Sequence, residues 1–142
     1  MSLEVSIIVP DRVFWKENAN EIILPTLTGQ MGVLKNHIPL LTGLDTGLIL
    51  VRTEESAKWI GVVVMGGFAL VNNNKVTILV NEAELGSEIN AEEAEASFLA
   101  SKSELESVSE GKRKIELTSQ FKKARARFFR IKLLFIKNKS IY

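Results

Sequence analysis

Short β-branched stretches recur through the first 80 residues, at the spacing of roughly 8–12 residues expected of an all-β domain, with turn residues between them. No helical periodicity precedes residue 89, and two helical patterns of opposite charge follow it. These observations predict a β plus α protein. A β-sandwich or barrel occupies 1–86, and a C-terminal antiparallel two-helix hairpin occupies 87–142.

The strands are predicted in order. Leu3, Val5, Ile7 and Val9 alternate with Glu4, Ser6 and Ile8, a strand with one buried face. Pro10-Asp11-Arg12 turns the chain into a second strand at Val13-Phe14-Trp15, which Asn18-Ala19-Asn20 breaks. Glu21 to Leu24 is a third strand, ended by Pro25. Gly29 to Gly47 holds four glycines, Pro39 and the only histidine, His37, which predicts short strands and tight corners. Leu48 to Arg52 is a further strand, with Glu54-Glu55-Ser56 as a polar hairpin end. Lys58 to Met65 follows, centred on the apolar Val62 to Val64, and Gly66-Gly67 then marks a bulge or close backbone approach. Phe68 to Val71, the Asn72-Asn73-Asn74 turn and Lys75 to Val80 complete the series.

For the first helix, Asn90 suits the N-cap, with Glu93 where a capping box places its acid. Ala94, Phe98, Leu105 and Val108 keep one face, and 107–111 ends it. In the second helix Leu117, Phe121, Ala124, Phe128, Ile131 and Phe135 make a heptad-like seam. Residues 81–110 carry nine Glu and one Lys, whereas 112–142 carry eleven Lys or Arg and one Glu. The hairpin is therefore expected to set acid against base on the sandwich. It should be weakly held and able to detach, because exposed ion pairs contribute only ~0–1 kcal/mol each.

At 142 residues, 46% hydrophobic and 25% charged, the chain is one folded domain or a domain with an appendage. Without cysteine, disulfides, thiolate metal sites and cysteine nucleophiles are excluded. No apolar run approaches the ~20 residues that span a bilayer. The N-terminus enters a strand directly, so no signal or transit peptide is expected.

Catalytic apparatus is not found. His37 has no neighbouring acid suited to orient it, with Asp45 eight residues away across corners, and reads as a polar anchor or interface residue. Neither nucleotide-binding glycine motif occurs, and the glutamates lack metal-ligand spacing and read as a solvated helix face. No catalytic, metal or cofactor residue is expected. The basic stretch, with Lys122, Lys123, Arg125, Arg127, Arg130 and Lys132, fits nucleic acid, an anionic membrane surface, an acidic protein surface or a solvated helix. The apolar excess at Phe128-Phe129 and Leu133 to Ile136 suggests cover by a partner or an extended seam.

Several stretches in order and spacing carry a resemblance: Leu3 to Pro10-Asp11, Glu21-Ile22-Ile23-Leu24-Pro25, Gly29-Gln30-Met31-Gly32-Val33-Leu34, Asn36-His37-Ile38-Pro39-Leu40, Leu44-Asp45-Thr46-Gly47, Met65-Gly66-Gly67-Phe68-Ala69, Asn81-Glu82-Ala83-Glu84 and Ala124-Arg125-Ala126-Arg127. Over about residues 3–130 the chain resembles the epsilon subunits of rotary F-type ATP synthases, most nearly the chloroplast form.

The resemblance implies a ten-stranded N-terminal β-sandwich before the hairpin. It implies a non-catalytic central-stalk subunit bound to the gamma subunit and the c-ring, turning inside the alpha3beta3 catalytic hexamer. Such a subunit couples proton-driven rotation to ATP synthesis and restrains ATP hydrolysis. Gly29, Gln30, Met31, Gly32, His37 and Pro39 match the c-ring and gamma interface, and Lys122, Lys123, Arg125 and Arg127 match the regulatory basic helix that meets acidic loops of beta. Bacterial members that bind ATP carry Ile-Asp-x-x-Arg-Ala, whereas this chain has Ile89-Asn90-Ala91-Glu92-Glu93-Ala94. An acid thus stands where a phosphate would lie, so no nucleotide site is expected. No nucleic-acid partner is implied. The expected place is the stromal side of the chloroplast thylakoid membrane, peripheral and without a transmembrane segment, or the cytoplasmic side of a cyanobacterial or other bacterial membrane. The alternative function is a stand-alone nucleic-acid or anionic-membrane-surface module using the basic helix.

Overall fold

The computed structural model describes residues 2–55, 58–107 and 115–128. Ser56, Val108, the 107–111 helix end beyond Ser107, and the seam and apolar tail beyond Phe128 lie outside the described residues.

Seven strands are found: β1 (Leu3–Val9), β2 (Arg12–Thr26), β3 (Gly29–Leu34), β4 (Leu40–Leu44), β5 (Gly47–Thr53), β6 (Trp59–Asn72) and β7 (Lys75–Leu85). A single 3-10 turn, Gly86–Glu88, leads to helix α1 (Ala91–Glu106). Residues 115–128 form a second helix, α2. The β plus α class stands, but the described residues form seven strands rather than ten.

The count falls because long strands run through both layers. Val13 to Trp15 and Glu21 to Leu24 belong to one strand, and Asn18-Ala19-Asn20 does not break it. Instead the β2–β5 register shifts between Ala19 and Glu21. Ala19 points into the core while the flanking asparagines face water, so the alternation survives their poor strand propensity. β6 likewise joins the two stretches expected on either side of Gly66-Gly67. Its first half pairs with β5 up to Val64, and its second half pairs with β4 from Gly67. Gly67 has φ +156, and a Cβ there would lie 2.0 Å from the Leu79 carbonyl oxygen. The predicted close approach is therefore real, and it sits where the strand changes layers.

Hydrogen bonding runs from β1 to β2, β5, β6, β7 and back to β1, so the sandwich is closed. The last step, β1 on β7, is parallel. Asn73 and Asn74, at φ 50 and 62, close the β6–β7 hairpin with the left-handed pair that a two-residue turn requires. Leu3, Val5, Ile7 and Val9 are buried as predicted, packed in the main core with Ile22, Leu24, Ile49, Val51, Val62, Val64, Val76 and Ile78.

A second apolar cluster lies on the outer surface of the sheet. β5 is buried on both faces: Ile49 and Val51 enter the main core, and Leu48 and Leu50 join Val63, Ile89, Ala94 and Ala126. This cluster seats the helical hairpin. The Asn90 side chain caps α1 by accepting from the Glu93 backbone N–H at 3.0 Å. The seam is real over the described residues, since the Phe98 ring stacks on Phe128 at 5.0 Å and tilts against Phe121 at 5.5 Å. No helix among the described residues is long and apolar enough to cross a membrane.

Candidate functional site

The residues expected at one interface divide between the two ends of β3. Thr26 pairs with Gly29 at the tip of the β2–β3 hairpin, with Gly29 at φ 127 and Gln30 and Gly32 exposed. Met31 is half-buried and packs against the main core, so Gln30 is the side chain that the corner presents. His37 and Pro39 lie past the far end of the six-residue β3, ~17 Å away at ordinary strand rise. There the His37 ring N–H donates to the Ile38 carbonyl at 2.7 Å, and the Asn36 backbone N–H donates to the Asn74 side chain. The corner and the histidine loop are thus two separate features.

The structure instead joins the corner to the basic helix. Lys122 donates to both carboxylate oxygens of Asp45, at 3.2 and 3.3 Å. Lys123 reaches Glu82 at 3.1 Å, and Arg127 Nε lies 3.0 Å from Glu84. Arg127 also lies 3.7 Å from Glu93 of α1. The expectation of acidic helix against basic helix is met only in part among the described residues: three sandwich acids pair with α2, and α1 adds Glu93. The reason is geometric, because α2 lies along β7 and the β4–β5 link, which carry those acids. Arg125 is exposed, its guanidinium 5.7 Å over the Phe121 ring, and it shares a cleft with Gly29, Gln30 and Lys122. A second cleft, about 510 Å³, lies between the β1–β2 turn, β7 and α2. The acids and bases along it are mutually paired: Arg12 with Asp11, Lys123 with Glu82, Arg127 with Glu84.

One feature escaped sequence reasoning. Gly43, Phe68, Leu79, Ile8 and Val13 occupy one cross-strand row over β4, β6, β7, β1 and β2. Leu27 lies over Gly43, where a Cβ would come within 2.9 Å of its Cδ1. Leu27, Phe68, Leu79 and Val13 are 70, 59, 51 and 57% exposed, so the row is an apolar stripe open to solvent. A solvent-facing Leu at position 79 beside the inward Ile78 was the available signal.

The family model for the ATP synthase delta/epsilon chain β-sandwich domain matches residues 2–86. The chain belongs to that family. The chloroplastic ATP synthase epsilon chain of Euglena gracilis is 65% identical over 128 residues, covering 90% of this chain and 95% of that one. The corresponding Stigeoclonium helveticum chain is 51% identical over 134 residues, covering 94% and 98%. A chain in the cryo-EM structure of Euglena gracilis mitochondrial ATP synthase (OSCP/F1/c-ring) superposes with a TM-score of 0.78 at 25% identity, covering 93% of this chain and 81% of that chain. As an epsilon-type chain of an ATP synthase, the protein is a non-catalytic rotor subunit of the chloroplast type.

Proposed function

We propose that this epsilon-type chain is the foot of the central stalk, bound to the gamma subunit and the c-ring on the stromal side of the thylakoid, where it couples rotation to ATP synthesis. The sandwich, 1–86, serves the rotor contacts, and the hairpin, 87–142, restrains hydrolysis by meeting acidic loops of the catalytic beta subunits in the alpha3beta3 hexamer. The observation that carries the rotor reading is the exposed apolar row through Leu27, Phe68, Leu79 and Val13. A subunit that must turn with a shaft needs a buried apolar attachment, and free chains seldom leave such a stripe bare. The described residues of the hairpin cover a different surface, over Leu48, Leu50 and Val63. We assign the row to gamma, and the Gly29–Gly32 corner, with Gln30, to the c-ring loops. His37 and Pro39, at the other end of β3, belong to the gamma side.

The test is reconstitution into a complex stripped of its epsilon chain. Phe68→Asp with Leu79→Asp is expected to abolish co-purification with gamma and to leave the melting transition of the free chain within a few degrees. Undiminished binding to gamma would refute the assignment. No observation favours the stand-alone nucleic-acid or membrane module, and three of its cations, Lys122, Lys123 and Arg127, face sandwich acids.

A further inference from the structure

Both the docked helix α2 and the β2–β3 corner rest on one short segment, Gly43 to Gly47. On the corner's side, Leu27 lies against Gly43, and Thr26 pairs with Leu44. Pro25 lies against Gly47, where an added Cβ would approach its ring to 2.8 Å. Between them the Asp45 backbone N–H donates to the Pro25 carbonyl at 2.9 Å. On the helix's side, the Asp45 carboxylate accepts the Lys122 ammonium and also the Thr46 backbone N–H at 2.8 Å. A cleft of about 250 Å³ has Gly29 and Gln30 on one wall and Lys122 and Arg125 on another, with Asp45 between.

We propose that Asp45 couples the two, so that docking of α2 through Lys122 holds the Pro25–Gly32 corner in order, and release of α2 loosens it. The carboxylate fixed by Lys122 and Thr46 sets the backbone of the β4–β5 link. That backbone in turn is what Pro25 bonds to and packs against. With Lys122 gone, the carboxylate turns to water and keeps only its bond from the Thr46 N–H, so the link's backbone contacts to Pro25 and Thr26 are less firmly set. Coupling of this kind is reciprocal. A partner that grips the ordered corner therefore favours the docked helix, and a helix drawn away weakens the corner's grip. The consequence for the rotor rests on the assignment of the corner to the c-ring, but the coupling itself belongs to the free chain and is tested there.

The test is hydrogen exchange by mass spectrometry on the full chain, free of partners. Lys122→Gln changes no residue of the corner, yet it is expected to raise exchange about threefold to fivefold at 26–32 as well as at 115–128, the range set by losing one partly exposed ion pair. Asp45→Asn is expected to do the same, and the double variant to add nothing further. Glu82→Gln, which loosens α2 away from the link, is expected to leave residues 26–32 nearer to the unmodified chain. Lys122→Gln that loosens only 115–128 overturns the coupling. Equal loosening of the corner by Glu82→Gln overturns the role of Asp45. Should Asp45→Asn fail to fold, Lys122→Gln and Glu82→Gln decide the question alone. None of these outcomes depends on what the corner binds in the assembled rotor.

Discussion

Gly67 is the position where a methyl group has nowhere to go. A Cβ would sit 2.0 Å from the Leu79 carbonyl oxygen, on a backbone at φ +156. Gly67→Ala is expected to cost about 3 kcal/mol or more by strain and displaced pairing, seen as a large drop in the thermal midpoint. Gly32→Ala meets nothing within 4 Å and is expected to stay within about 0.5 kcal/mol of the unmodified chain in the same melt. Asn90→Ala removes the cap of α1 and is expected to cost about 1 kcal/mol of local helix stability, read as faster amide exchange in its first turn. Asn90 was legible because its partner, Glu93, lies three residues on. Asp45, Glu82 and Glu84 were not legible as helix anchors, because their cations follow 77, 41 and 43 residues later. Sequence charge counts showed that the basic helix needs acids but not which ones. Proximity in the chain favoured the glutamates of α1.

The hairpin is held by two kinds of contact. Its ion pairs are half-exposed, apart from Arg127, whose side chain is 15% exposed. Salt screens such pairs and leaves apolar contacts untouched, so about 1 M salt is expected to loosen α2 without releasing it fully. Ala94 is fully buried over Leu50 and Val63. Ala94→Glu is expected to expel the hairpin from the sandwich, because a buried unpaired carboxylate is far costlier than the seam is stabilising. Limited proteolysis then trims the chain to the sandwich, whose melting transition persists. The docking surface was half legible. Leu48 to Val51 reads as a continuous apolar run, the mark of a strand covered on both faces, yet the run does not name its cover. Strand boundaries were less legible, since Asn18 and Asn20 look like a break and turn out to be the solvent face of a continuous β2.

Across the whole molecule, three of the four cations assigned to restraint of hydrolysis, Lys122, Lys123 and Arg127, also serve docking. Removing them therefore acts on both arrangements, whereas removing the sandwich acids acts on one. Replacing Lys122, Lys123, Arg125 and Arg127 by alanine is expected to weaken inhibition of ATP hydrolysis with assembly intact. Glu82→Gln with Glu84→Gln is expected to strengthen it, because the helix leaves the sandwich with its charge unspent. Hydrolysis assays on complexes reconstituted with each variant separate the two, and equal inhibition by the alanine variant would refute the charge mechanism. The parallel pairing of β1 with β7 carries a different consequence, for the birth of the chain. Glu4 to Ile8 cannot find Lys75 to Leu79 until nearly the whole sandwich has left the ribosome. Closure of the sheet is therefore late and slow, as long-range strand pairing is. The hairpin follows β7 in the sequence and so emerges after the strand that carries its seat, Leu48 and Leu50 of β5. A nascent chain thus exposes the part assigned to the rotor contacts before it owns the part assigned to restraint.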